Sequence, residues 1–107
     1  MLRAAWVHEG GTWSIPGGAL RAGESPRAGA YRETIEEIGP IPDSVVTGTD
    51  TVDCGGGWLF HTVHATVERP FAAPGSPEVD AVRWVTEGEL GQLALHPGFR
   101  RWMNRRP

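Results

Sequence analysis

Between Ser25-Pro26 and Gly39-Pro40 lies the stretch of this chain that most restricts its fold, because its sequence marks both of its ends. A serine at the N-cap accepts from a first-turn backbone N–H. A proline at the first helical position loses nothing, since its missing N–H would be unpaired there anyway. Glycine just past the last turn, followed by proline, is a hard stop. The pattern predicts a helix from Pro26 to about Ile38, with Tyr31, Ile35 and Ile38 on one face that packs against a sheet. Gly29 inside that helix costs about 1 kcal/mol relative to alanine, and either close packing or tolerance accounts for it.

Around this helix the chain reads as strands and turns. Leu2 to Val7 is an apolar stretch suited to the end of a strand, and His8 to Gly11 turns it. Trp13-Ser14-Ile15 reads as a brief strand stopped by Pro16-Gly17-Gly18, and a glycine-rich loop continues through Gly23 and Glu24. Ser44 to Val52 is rich in valine and threonine, Gly55-Gly56-Gly57 turns the chain back, and Trp58 to Glu68 alternates as a longer strand. Pro70 to Pro77 is a proline-rich loop and Val79 to Val85 a further strand. Thr86 caps a short helix that includes Leu90 and Leu93, and Pro97 opens a last helical segment through Trp102. With 107 residues and no linker or repeat, residues 1–107 are expected to form a single mixed α/β domain.

Composition narrows the function classes. The formal charge of −3 argues against general nucleic-acid binding. No apolar run approaches the ~20 residues of a membrane span, and no signal-peptide core opens the chain. A single cysteine, Cys54, allows no internal disulfide, so a cytoplasmic location is expected.

Charge is unevenly placed within the helix. Glu33 and Glu37 are one turn apart and Glu36 follows Glu33 by three, so all three carboxylates project from one side. Like charges at this spacing repel, and the helix C-terminal end disfavours anions. One reading is a solvated acidic face partly neutralised by Arg32. The other is a site for a hard divalent cation, which takes a few carboxylates and keeps waters for substrate phosphates.

The neighbouring residues favour the second reading. Gly18 is followed by five residues and Glu24, then by seven residues and Arg32-Glu33-Thr34-Ile35-Glu36-Glu37-Ile38-Gly39. This resembles the signature box of the Nudix hydrolases, with all seven fixed residues matched: Gly18, Glu24, Arg32, Glu33, Glu36, Glu37 and Gly39. The lead-in Trp13 to Gly18 is similar to the family's. Thr34 and Pro40 stand where the family has aliphatic residues, and neither change removes a ligand.

The resemblance implies a Nudix-type α/β/α sandwich with a mixed β-sheet. It implies a Mg²⁺-dependent pyrophosphohydrolase, with Mn²⁺ a substitute, acting on a nucleoside diphosphate linked to another moiety. Glu36 and Glu37 would be metal ligands with the Gly17 carbonyl, and Glu33 a ligand or a base for the attacking water. Arg32 would orient the carboxylates, paired with Glu24, while Gly18 and Gly39 shape the support. Glu78, ahead of a late strand, is the candidate for a further acid, with an ordinary loop acid as the alternative.

The family's domain carries more sheet before this region than the twelve residues preceding Trp13, so the N-terminal strand is expected to be absent or shortened. Unpaired strand edges invite a second chain, and a homodimer or a weakly stable monomer follows as an expectation. A non-catalytic nucleotide-binding module, or a truncated form needing a partner chain, are the competing readings. Other features carry less. His61 and His64 face opposite sides of a strand and cannot share a metal. Trp6, Trp58 and Trp84 are expected in the core, Cys54 lacks a catalytic partner, and Arg100, Arg101, Arg105 and Arg106 read as a solvated tail.

Overall fold

The helix predicted from its ends forms as written. In the computed structural model, which describes residues 1–105, α1 spans Pro26–Ile38. The Ser25 hydroxyl accepts from the Ala28 N–H at 3.1 Å. Gly39 ends the helix at φ 100°, where an added Cβ would also lie 2.8 Å from the Pro74 ring. Gly29 is explained by close packing: a Cβ there would stand 2.2 Å from Leu20 Cδ2 and 3.1 Å from Glu24 Oε1.

Two antiparallel pairs of strands accompany α1. β1 (Leu2–Arg3) pairs with β4 (Val79–Ala81). β2 (Ser44–Gly55) pairs with β3 (Trp58–Val67) in a long hairpin. Its two loop residues, Gly56 and Gly57, have φ of 61° and 81°, the left-handed values that a tight hairpin turn demands. The first pair is widened by Trp13, which bridges Leu2 antiparallel and Leu95 parallel. Its N–H donates to Ala94 O at 2.8 Å, and its carbonyl accepts from His96 N–H at 2.8 Å. Two short helices follow, α2 (Glu87–Leu90) and α3 (Pro97–Arg105). Thr86 and Glu89 close a reciprocal capping box on α2.

The core sits where β1, β4, the end of α1 and the segment before α3 meet, at Ala4, Ile38, Val79 and Leu95. α1 also lies against β3, and the hydroxyls of Tyr31 and Ser44 tie the helix to the start of β2. Of the helix face, Ile38 is buried while Ile35 stays 47% exposed.

Five expectations are corrected. The short helix expected to include Leu93 ends at Leu90, with Gly91 as its cap. The strand expected over Leu2 to Val7 ends at Arg3, because the chain turns with Val7 N–H donating to Ala4 O. The strand expected over Val79 to Val85 stops at Ala81, since a two-residue β1 offers no further partner. Trp13-Ser14-Ile15 contributes bridges at Trp13 alone. The tryptophans expected in the core are exposed: Trp6 at 69%, Trp58 at 73% and Trp84 at 50%. Trp58 sits at the hairpin tip, where nothing packs over it. Trp6 and Trp84 instead donate their indole N–H groups to the carbonyls of Pro77 and Phe71, fastening the proline-rich loop from both ends.

Among the described residues, no helix is long and apolar enough to cross a membrane. Cys54 is a free, exposed thiol. Arg100, Arg101 and Arg105 are exposed on α3, and Arg106 lies outside the described residues.

Candidate metal and diphosphate site

The loop Gly18–Glu24 and the helix α1 are joined chiefly by one side chain. Arg32 grips both Glu24 oxygens, Nε to Oε2 and Nη2 to Oε1, each at 2.8 Å. Its Nη1 reaches Glu33 Oε1 at 2.8 Å and Glu36 Oε2 at 3.4 Å, and its Nη2 also donates to Ala19 O at 3.1 Å. A planar guanidinium suits this fork geometry and a lysine does not. Hydrogen bonds from Arg32 and then from the Arg21 backbone hold the Glu24 carboxyl down to about 2. Glu24 and Glu33 in turn hold the Arg32 proton more firmly than usual. The expected pairing of Arg32 with Glu24 is therefore present, bidentate.

Gly18 stands under Glu33. A Cβ there would fall 2.6 Å from the carboxylate carbon and from Oε1, so only glycine lets the loop lie this close to the helix. Gly17, one residue earlier, donates its N–H to Glu37.

Glu37 is the unusual carboxylate. It is half-buried, and burial pushes its pKa up from 4.5 to about 7, against the pull of the Gly17 hydrogen bond. The charges of Glu33 and Glu78 push it the same way as burial, and Arg3 opposes them. Its Oε2 is buried without a hydrogen-bond partner. Such an atom is costly unless something satisfies it.

Sequence reasoning placed these residues unevenly. The structure brings together Gly17, Gly18, Glu24, Arg32, Glu33 and Glu37, and puts Glu78, exposed beside β4, within electrostatic reach of Glu37. Gly39 caps the helix. Glu36 is half-exposed and leans to Arg21 at 3.6 Å as well as to Arg32. Among the described residues, no three His, Cys, Asp or Glu side chains converge as a ready-made cage. Mg²⁺ seldom needs one, since it commonly binds through one or two carboxylates and keeps several waters. The hard oxygen donors of the helix and the orphaned Glu37 oxygen fit such an ion.

Arg3 and Arg21 were missed by the sequence reading. Arg21 is a basic residue within the glycine-rich loop, and its place there was the available signal. Arg3 reaches Glu37 only through the tertiary fold, and no local pattern announces it. His61 and His64 have separate partners: His61 Nδ1 pairs with Thr51 Oγ1 at 2.8 Å, and His64 Nε2 with Asp50 Oδ2 at 2.7 Å.

Comparison with known proteins bears on the family and the fold. The family profile described as the NUDIX domain matches residues 1–105. Among curated proteins, one of Mycobacterium tuberculosis named "Putative 8-oxo-dGTP diphosphatase 3" is 38% identical over 107 aligned positions, covering 91% of this chain and 48% of that protein. An RNA pyrophosphohydrolase of Psychromonas ingrahamii is 31% identical, covering 70% of this chain and 54% of its own length. The chain thus spans about half the length of these relatives. Among solved structures, a Nudix hydrolase from M. smegmatis, RenU, superposes with a TM-score of 0.80 at 34% identity, covering 99% of this chain and 74% of that one.

Proposed function

The chain belongs to the Nudix family, and from that premise we propose that it is a pyrophosphohydrolase of a nucleoside diphosphate linked to another group. The observation that carries the reading is Glu37: a half-buried carboxylate with one oxygen unsatisfied, on the helix face shared with Glu33 and Glu36, with the Gly17 N–H bonded to it and Gly18 close over Glu33. Relatives named as a putative 8-oxo-dGTP diphosphatase and as an RNA pyrophosphohydrolase support a nucleotide substrate.

Glu36 and Glu37 would hold a divalent ion, Mg²⁺ or Mn²⁺, with the Gly17 carbonyl and with Glu33 where it is not the base. Such an ion supplies positive charge to the diphosphate oxygens and makes water more acidic. The protein's own part is positioning. Arg32 fixes the Glu33 carboxylate and the loop over it, so that the reacting phosphorus meets preset groups. A water oxygen attacks that phosphorus in line while Glu33 accepts its proton. The bond from phosphorus to the bridging oxygen breaks, and the bridging oxygen leaves with the other phosphate half. Glu78, close enough to influence Glu37, is the second candidate to take the proton.

The test is a nucleotide panel with Mg²⁺ or Mn²⁺ and identified products. Turnover by the wild type and none by Glu37→Gln is expected. No turnover by the wild type on any nucleotide overturns the reading. One observation favours a second reading, a module that binds a nucleotide without cleaving it: Arg32 occupies both Glu33 and Glu36. Calorimetric binding of a nucleotide with no product formed would select it.

A further inference from the structure

Glu78 sits where two turns lie side by side. The first is residues 4–7, where the Val7 N–H donates to Ala4 O at 3.2 Å. Gly10 backs it so closely that a Cβ there would stand 2.5 Å from both Ala4 O and Ala5 O. The second is residues 76–79, closed by the Val79 N–H on Ser76 O at 3.0 Å, with Pro77 and Glu78 at its centre. Two neighbouring carbonyls of the second turn accept from the first. Glu78 O takes the Ala4 N–H at 2.9 Å, and Pro77 O takes the Trp6 indole N–H at 3.2 Å. The second turn is also moored to the end of α1, by the Gly75 N–H on Ile38 O at 3.1 Å and by Pro74 against Gly39.

We infer that Trp6 is a positioning residue for the reaction: its indole N–H fixes the Pro77–Glu78 peptide and so holds the Glu78 carboxylate beside the Glu33–Glu37 face of α1. This role rests on the hydrolase reading, in which Glu78 is a candidate to take the proton. The proline ring fixes φ at residue 77. With the peptide planar, ψ of Pro77 and φ of Glu78 remain as the soft torsions on either side of it. Both tilt the Pro77 carbonyl, the group that Trp6 holds. The Ala4 bond falls on the next carbonyl, so it fixes the chain beyond Glu78 and not the plane before it. That Glu78 lies near the site is marked separately by its charge, one of those that push the Glu37 carboxyl up.

The chemistry of the side chain suits the task. Indole offers one N–H donor and no acceptor, on a rigid ring that spans the gap from one turn to the other. The bond is exposed, so it adds little to global stability, and its loss should show in the order of the turn and not in unfolding. Trp84, the other indole that grips this loop, donates to Phe71 O at 2.9 Å. It holds the far end of the loop and not the peptide before Glu78.

Trp6→Phe removes the donor and keeps a ring. In the metal-free 107-residue chain, ¹⁵N relaxation should show the order parameter of the Glu78 amide falling from about 0.85 to below about 0.6 while those of α1 hold. With a substrate found in the nucleotide panel, kcat should fall about tenfold with KM unchanged, the mark of lost positioning. In the Glu78→Gln background the same substitution should cause no further loss, since Trp6 acts through Glu78. An unchanged Glu78 order parameter, a rise in KM in place of the fall in kcat, or an equal loss in the Glu78→Gln background would each overturn the role of Trp6 and leave the hydrolase reading standing. A wild type with no turnover on any nucleotide overturns both.

Discussion

Replacing Glu37 by glutamine should raise the stability of the metal-free protein at alkaline pH while abolishing its response to Mg²⁺. Folding lifts the Glu37 pKa from 4.5 to about 7, chiefly by burial. Between those values the folded chain holds a proton that the unfolded chain has released. Stability from this group therefore falls as pH rises from 4.5 to about 7 and is flat above. Undiscounted, the shift corresponds to about 3 kcal/mol at about 1.4 kcal/mol per pKa unit. The side chain is partly exposed, and screening brings the penalty to about 1–2 kcal/mol. Glutamine removes the ionisation but leaves the buried oxygen's position unsatisfied, a cost that does not vary with pH. The quantity to read is thus the difference between variant and wild type in urea denaturation at pH 5 and pH 8. It should move in favour of the variant by about 1–2 kcal/mol. At 100 times its dissociation constant Mg²⁺ should stabilise the wild type by about 2.7 kcal/mol and the variant hardly at all. A difference that is constant with pH, or equal stabilisation of both proteins by Mg²⁺, would refute the reasoning.

Three other perturbations probe the same region. Gly18→Ala puts a methyl 2.6 Å from the Glu33 carboxylate and should cut kcat/KM by about tenfold or more through misplacement of that group, with the far-UV spectrum unchanged. Gly39→Ala forces φ 100° on a residue with a Cβ and presses on Pro74, so urea denaturation should show a loss of about 1–3 kcal/mol. Arg32→Lys cannot bridge both Glu24 oxygens. The Glu24 pKa should climb from about 2 toward its ordinary value, and the stability that the wild type loses only as pH falls from 4.5 toward 2 should be missing already at neutral pH, as an acid-titration NMR series would show.

What was legible in the sequence follows from how local each cause is. Ser25, Pro26 and Gly39 act on backbone groups within a few residues of themselves, so the bounds of α1 could be read directly. The same holds for the Thr86 cap and for the glycine turn at residues 55–57. The spacing from Gly18 to Gly39 predicted a site whose central pairings, Arg32 with Glu24 and Glu33 beneath Gly18, are present. Burial is not a local property. Trp6, Trp58 and Trp84 are as apolar as any core residue, but whether they are covered depends on what the rest of the chain lays over them. Strand length likewise depends on a partner, and Val82 to Val85 found none. The half-buried state of Glu37 needed Arg3, Gly17 and Glu78 to arrive from three separate segments, which no spacing within the helix encodes.

The way Arg32 clasps Glu24 has a consequence for anyone who would move this site to another scaffold. The loop from Gly18 to Glu24 is fastened to α1 chiefly by that clasp and by Leu20 resting on Gly29, so loop and helix form one transplantable cassette. Grafting the helix without the loop would strand a guanidinium with Glu33 and Glu36 as its remaining partners, and the arginine would seal the carboxylates it now arranges. The smallest portable version of the site is therefore residues 17–39, and a designer would have to keep the glycines at its seam before worrying about the acids.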